Sequence, residues 1–233
     1  IHLYKGNKMK NVTIFGDSLL QGVLFQNKKY SLSRSIDWDG IQNSLDVKIT
    51  NSSKMGCTIT KGETIIDKVL AQGREIDTAI VEYGGNDCDF DWAEVAKHPL
   101  GEQSSHTSLS DFKDKLVKII ATLRNAKIKP ILMTLPPLNP VTFFAKVAAD
   151  TNGADGIMQF LGDVMRIYRY QELFSNAIID VAIALNVQLV DVRSKFLLND
   201  NFNSLICEDG IHPNEKGEKI IADCFLETFG KRI

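Results

Sequence analysis

Four short stretches of the sequence hold residues able to act on an acyl carbon. In "VTIFGDSLLQG" (12–22) an apolar, β-branched run stops at Gly16 and Asp17 and is followed by Ser18. "NSSKMGCT" carries Gly56, "YGGNDCDFD" carries Gly84, Gly85, Asn86 and Asp87, and "CEDGIHPNEKG" places Asp209 three residues before His212. A serine hydroxyl is a poor nucleophile until a neighbouring base takes its proton, and histidine is the base suited to neutral pH. His212 can fill that role. Asp209 can accept the other ring N–H, fixing the tautomer and stabilising the imidazolium. Attack on an ester carbonyl develops a negative oxygen that needs preorganised donors. The backbone N–H groups of Ser18 and Gly56 and the side-chain amide of Asn86 are the candidates, and a glycine at 56 lets the backbone approach closely. A helix starting at Ser18 would add its positive end. Asp17, Gly84 and Asp87 read as supporting residues of the same loops.

Each stretch alone has a plainer reading. Asp17 or Ser18 could be an N-cap after a strand, "GGND" a turn, and "DGIHPN" a turn before a helix with His212 on the surface. Turn chemistry does not readily produce nucleophile, donor loop, amide and base together, so the joint pattern favours catalysis. His2, His98 and His106 lie in segments without such partners and read as surface residues.

The elements that must position these residues alternate. Short, β-branched apolar runs at 11–15, 47–50, 78–84, 130–135 and 187–192 read as strands buried on both faces, as parallel strands are. Between them, Phe112, Leu116, Ile119, Ile120 and Leu123 recur at helical spacing, with Ser110 as N-cap. Leu173 to Leu185 repeat that spacing, as do Ile220 to Phe229 after Pro213 and Asn214. Such alternation implies a parallel sheet with right-handed crossovers and helices on both faces. Five strands fit a three-layer α/β/α, flavodoxin-like sandwich, in which ligands bind beyond the carboxyl ends of the strands. All four stretches fall at such ends.

The 233-residue length and 44% hydrophobic content are enough for one α/β core, and residues 11–233 read as one domain. Residues 1–10 read as an extension or appended segment, with Met9-Lys10 resembling a natural start. A formal net charge of -2 without basic blocks argues against a nucleic-acid partner. No apolar span is long enough for a membrane helix. No signal-peptide core is visible, so a cytoplasmic location is expected. Cys57, Cys88, Cys207 and Cys224 lack C-x-x-C spacing and read as free thiols rather than metal ligands. No G-x-G-x-x-G or P-loop supports a nucleotide cofactor, and no cofactor is implied.

"GDSLLQG", Gly56, "GGND" and "DGIHP" closely resemble, in order and across residues 12–213, the four blocks of the SGNH, or GDSL, hydrolase superfamily. The resemblance implies a flavodoxin-like fold and serine esterase activity. It assigns Ser18 as nucleophile, Ser18, Gly56 and Asn86 as oxyanion donors, and Asp209 and His212 as the rest of the triad. Ser53 stands where family members often carry an additional glycine. The G-x-S-x-G elbow of α/β-hydrolases is absent.

For the substrate, a small-acyl ester is expected, such as an acetylated carbohydrate. Longer acyl chains, as in a lysophospholipase or thioesterase, are the alternative, and a non-catalytic binding module of the same fold is a rival from another class. The long stretch 136–172 offers Phe143, Phe144, Met158, Phe160 and Met165 either as an acyl pocket or lid or, more simply, as packing of an additional helix. Tyr30, Arg34 and Trp38 are expected near the cleft mouth.

Overall fold

The computed structural model describes residues 10–230. His2 and the expected amino-terminal extension, apart from Lys10, lie outside them. Five parallel strands form the central sheet: β1 (Asn11–Phe15), β4 (Lys48–Asn51), β5 (Thr78–Val81), β6 (Lys129–Met133) and β7 (Gln188–Val190), in the spatial order β4-β1-β5-β6-β7. This is the flavodoxin-like order expected from the sequence. Val12 of β1 pairs with Ile49 on one side and Thr78 on the other, and Ile80 of β5 pairs with Ile131.

The central strands β1, β5 and β6 are mostly buried because both faces are covered, whereas the edge strand β4 is part-exposed. Alternate residues divide between two cores. Phe15, Ala79, Val81 and Leu132 face α3 (Ile59–Ala71), α5 (Leu109–Asn125) and α8 (Met165–Ala184). Val12, Ile14, Ile80, Ile131 and Met133 face α2 (Trp38–Leu45), α9 (Val192–Leu197) and α10 (Glu215–Gly230). A third cluster stands at the carboxyl edge of the sheet. There Phe90, Trp92, Val95, Phe143, Ile157 and Ile167 join α4 (Trp92–Lys97), α6 (Pro140–Thr151) and α7 (Ala154–Leu161) to the start of α8.

Several local expectations are revised. The N-cap of α5 is Ser108, not Ser110; the Ser108 side chain accepts from the Asp111 N–H at 3.1 Å. The third sheet strand ends at Val81, so Glu82 to Gly84 already belong to the turn that leaves the sheet. The connection after α1 (Ser18–Gln21) forms a two-stranded antiparallel hairpin of β2 (Val23–Gln26) and β3 (Lys29–Leu32). Its turn residues Asn27 and Lys28 both adopt positive φ, as two-residue hairpin turns of type I′ require. Residues 136–172 supply α6, α7 and the first turns of α8, so packing of additional helices accounts for most of that stretch. No helix among the described residues is long and apolar enough to cross a membrane.

One glycine fixes how α3 meets the sheet exit. A Cβ on Gly62 would lie 2.3 Å from Tyr83 Cζ, inside the ring's van der Waals boundary, and Tyr83 is fully buried. Gly62→Ala gains roughly 1 kcal/mol of helix propensity, yet overpacking a closed core typically costs about 1–3 kcal/mol. The expected net outcome is a lower urea midpoint, read by equilibrium unfolding. A raised midpoint would show that the ring gives way.

Candidate active site

β1 ends at Phe15, and its successor Gly16 leaves no room for a side chain. A Cβ there would meet Glu82 Oε2 at 2.8 Å. Asp17 is then the N-cap of the single-turn helix α1, accepting the Leu19 N–H at 2.9 Å, and Ser18 is its first residue. The sequence left the cap open between these two; the backbone places it on Asp17 and frees the Ser18 hydroxyl. With only four residues, α1 contributes unpaired N–H groups rather than a long macrodipole.

Ser18, His212 and Asp209 meet as the sequence predicts. Ser18 Oγ lies 2.8 Å from His212 Nε2, and His212 Nδ1 lies 2.5 Å from Asp209 Oδ2. Asp209 Oδ1 accepts the backbone N–H groups of Ile211 and His212, each at 3.1 Å, so the carboxylate is oriented by the loop it belongs to. All three residues are buried, Asp209 completely. The loop turns at Gly210, whose φ is +81° and whose missing side chain admits the α6 backbone; a Cβ would lie 2.4 Å from the Phe143 N. Tyr30 of the hairpin closes over the imidazole edge-on, ring centroids 5.8 Å apart.

The donor loops converge on the same cavity, which Ser18, Gly56, Asn86 and His212 all line. Gly56 lines the cavity with φ +68°, a backbone conformation that favours glycine, and has open space where a Cβ would point. Asn86 Nδ2 donates to Asp17 Oδ2 at 2.8 Å and makes only a long 3.4 Å contact to the Cys57 carbonyl. The first hydrogen is held. The second is engaged only by that long contact.

Asp87 and Gly84 act beneath the cavity. The two Asp87 oxygens both accept the Ile59 N–H at 3.0 Å, and Asp87 also takes the Thr107 hydroxyl at 2.6 Å. Thr58, the N-cap residue of α3, makes no side-chain cap bond, so Asp87 caps that helix from another loop. Gly84, at φ +129°, passes between Leu135 and Phe112 where a Cβ would press on both.

The cavity measures about 380 Å³. Its inner wall comes from Phe90, Trp92, Leu138, Phe143, Leu161 and Ile167, and its mouth from Tyr30, Lys146 and Asp150. Of the aromatic and Met candidates in 136–172, only Phe143 lines it. Phe144 and Phe160 pack into the neighbouring cluster, and Met165 is 46% exposed. Trp38 packs on Phe225 in the far core and is not at the mouth; Arg34 is not in the lining. His106 lies on the surface as expected, but its Nδ1 reaches the Asn86 carbonyl at 2.9 Å. Sequence reasoning missed Lys146, Phe90 and Trp92. Phe90 and Trp92 followed "GGNDCD" closely enough to be found. All four cysteines are free and buried.

A flavodoxin-ordered sheet with a hydrogen-bonded Ser–His–Asp row at its carboxyl edge defines the class: an α/β protein with the layout of the SGNH hydrolases. The chain belongs to the GDSL-like lipase/acylhydrolase family, whose model matches residues 14–220. It is 25% identical over 166 residues to the GDSL esterase/lipase WDL1 of Oryza sativa subsp. japonica, covering 70% of this chain and 57% of that protein. It is also 25% identical over 177 residues to the GDSL esterase/lipase CPRD49 of Arabidopsis thaliana, covering 74% and 62%. The chain thus spans about three fifths of the length of these curated relatives. Among solved structures, a lipase/acylhydrolase from Enterococcus faecalis superposes with a TM-score of 0.67 at 17% identity, covering 96% of this chain and 97% of that one. A catalytic mutant of Axe2, an acetylxylan esterase from Geobacillus stearothermophilus, gives 0.67 at 18%, covering 98% and 97%. At these identities the likeness is one of fold.

Burial pushes the Asp87 carboxyl up to about 6, with the bonds from Thr107 and Ile59 pulling the other way. The native state therefore binds this proton more tightly than the unfolded chain, whose carboxylates titrate near about 4. The Asp87 contribution to stability is largest below that value and declines as pH rises to about 6, then levels off. Unfolding free energies of the wild type and Asp87→Asn, compared from pH 4 to 7, should show the wild-type advantage shrinking across this window. A constant difference would remove the carboxyl from the linkage.

Proposed function

We propose that this protein is a serine ester hydrolase that works through an acyl-enzyme on Ser18. The observation that carries the reading is the continuous hydrogen-bonded row from Ser18 Oγ through the His212 ring to Asp209, opening on a cavity also lined by Gly56 and Asn86. Ser18 Oγ attacks the ester carbonyl carbon as its proton passes to His212 Nε2. Asp209 stabilises the imidazolium through Nδ1. The oxygen that becomes negative is held by the Ser18 and Gly56 backbone N–H groups and by the second hydrogen of Asn86 Nδ2. The tetrahedral centre then collapses, the carbon–alkoxy bond breaks, and His212 returns its proton to the departing alcohol. Water repeats the sequence on the acyl-enzyme: His212 takes its proton, the acid is released, and Ser18 recovers its hydrogen.

The geometry supports a substrate with an apolar acyl chain of several carbons over an acetyl group. A cavity of about 380 Å³ walled by Phe90, Trp92, Leu138, Phe143 and Leu161 is far larger than two carbons fill, and its walls offer chiefly apolar surface. One observation favours the acetylated-carbohydrate reading: Tyr30, 46% exposed beside His212, is an aromatic face at the mouth where a sugar ring can rest.

Ser18→Ala should lose turnover to near background with an unchanged circular dichroism spectrum, and Ser18 should be the residue labelled by a fluorophosphonate. A binding module would give no label. Asn86→Ala should lose about 10²–10³ in kcat, the usual cost of one oxyanion donor. A series of p-nitrophenyl esters from acetyl to dodecanoyl, run beside acetylated sugars, should peak beyond four carbons. A maximum at acetyl with matching activity on the sugars would reverse the substrate assignment.

A further inference from the structure

Beneath the nucleophile lie two enclosed carboxyls with no Lys or Arg in an ion pair with either among the described residues. Asp17 is 1% exposed and Glu82 is fully buried. They leave adjacent strands, since Phe15 of β1 pairs with Val81 of β5. The Asp17 N–H donates to Glu82 Oε2 at 3.1 Å, which brings the two side chains into one enclosure. Enclosed together, they do not both ionise.

The surroundings decide which one keeps the proton. Asp17 accepts the Leu19 N–H and the Asn86 amide, two donors that reward a negative charge. Glu82 Oε1 receives no donor, and the nearby charges acting on Glu82 are the carboxyls of Asp17 and Asp87. Ionising Glu82 therefore has only the Asp17 N–H to offset it, and burial with the Asp17 charge beside it holds its carboxyl well above the usual range. Gly16 is the residue that makes the arrangement possible, because any Cβ there would displace Glu82 Oε2.

We propose that Glu82 is a positioning residue: as a neutral acid it hydrogen-bonds the Asp17 carboxylate, and through Asp17 it holds the Asn86 amide where the oxyanion forms. This rests on the reading of Asn86 as an oxyanion donor. Asp17 has two demands on it, the α1 cap and Asn86, and it meets both only if its carboxylate cannot rotate. The Glu82 hydroxyl and the Glu82 oxygen on the Asp17 N–H fix it from below. A side chain of the same length that keeps one donor and one acceptor should serve; an apolar one should not.

The test is a double-mutant cycle in the full chain with a p-nitrophenyl ester, reading kcat and KM separately, together with thermal melting. Glu82→Leu should lower kcat by about tenfold or more, as loss of alignment does, with KM little changed. Glu82→Gln, whose amide can donate to Asp17 and whose carbonyl can accept its N–H, should recover most of that loss. In the Asn86→Ala background, Glu82→Leu should lower kcat no further. A full additional loss in that background overturns the Glu82 proposal and leaves the Asn86 assignment intact. Wild-type activity in Asn86→Ala alone overturns the assignment and the proposal with it. Should Glu82→Leu not fold, infrared difference spectra of wild type against Glu82→Gln at neutral pH decide the matter. The carbonyl stretch of a protonated carboxylic acid should be present in the wild type only; its absence overturns the proposal.

Discussion

The proposed chemistry depends on one hydrogen bond between residues 194 positions apart, between Ser18 Oγ and His212 Nε2. Neither partner sits on a long element. Ser18 opens a single helical turn, and His212 lies in the loop before α10. Both must therefore be held by what surrounds them, because an ångström of drift is enough to lose proton transfer. On the histidine side the loop is closed by the Cys207 N–H donating to the His212 carbonyl at 2.7 Å and by the Gly210 N–H donating to the Cys207 carbonyl at 3.0 Å. The Asn139 N–H then donates to the Gly210 carbonyl at 2.7 Å, tying the base to the start of α6. Because α6 also supplies Phe143, Lys146 and Val147 to the cavity, the His212 loop and the cavity wall share one hydrogen-bonded support.

On the serine side the constraint is topological. In the order β4-β1-β5-β6-β7, β1 and β5 are neighbours from which the chain winds outward in opposite directions. Their carboxyl ends diverge above the sheet and leave a crevice. The loop after β1 carries Asp17 and Ser18, and the turn after β5 carries Glu82 and Asn86. The two loops meet in the Asn86–Asp17 side-chain bond at 2.8 Å and in the bond from the Asp17 backbone N–H to the Glu82 side chain at 3.1 Å. The sheet order thus explains why one loop's acid can orient the other loop's amide.

The residues of the row were legible in the sequence because each depends on local spacing. Asp209 and His212 are three apart, and Ser18 stands two residues after the glycine that ends the first apolar run. The central strands were legible because burial on both faces leaves an unbroken apolar run. The β2–β3 hairpin was not, since Lys29 to Leu32 are all exposed and show no burial alternation. Its signal lay instead in Asn27-Lys28, a pair that has to adopt positive φ. Trp38 misled for a related reason: an aromatic after a polar run resembles a cleft residue, but α2 turns it onto Phe225. Phe144 and Met158 share a helical stripe with the lining residues Val147 and Leu161, and Phe160 directly precedes Leu161. Which side of that stripe faces the cavity is set by how α6 and α7 pack on α4, information that periodicity alone does not carry. Glu82 stood in plain view as a charge within "TAIVEYG", but its partner Asp17 is 65 residues earlier.

The acids around the crevice impose a final electrostatic condition. Asp17, Glu82, Asp87 and Asp209 all lie in the interior beneath or beside it, within a site that the proposed mechanism requires to stabilise a negative oxygen. Four free carboxylates there would favour the imidazolium of His212 but oppose the oxyanion, and in a low-dielectric interior both effects are strong. The fold resolves the conflict by giving each acid a local partner. Asp209 faces His212 itself, so its charge acts on the imidazolium. Asp87 is turned away onto the α3 N-terminus and Thr107. Asp17 directs its charge into the Leu19 N–H and the Asn86 amide. Polarising that amide makes its remaining N–H a better donor, so in the proposed mechanism the Asp17 charge would reach the oxyanion through Asn86 as attraction as well as directly as repulsion. Glu82, with no donor on Oε1, is the acid for which neutrality costs least. A site rich in carboxyls can serve a negative transition state on this condition alone: each charge that remains must end on a hydrogen that points away from the reacting oxygen or on a group that donates to it.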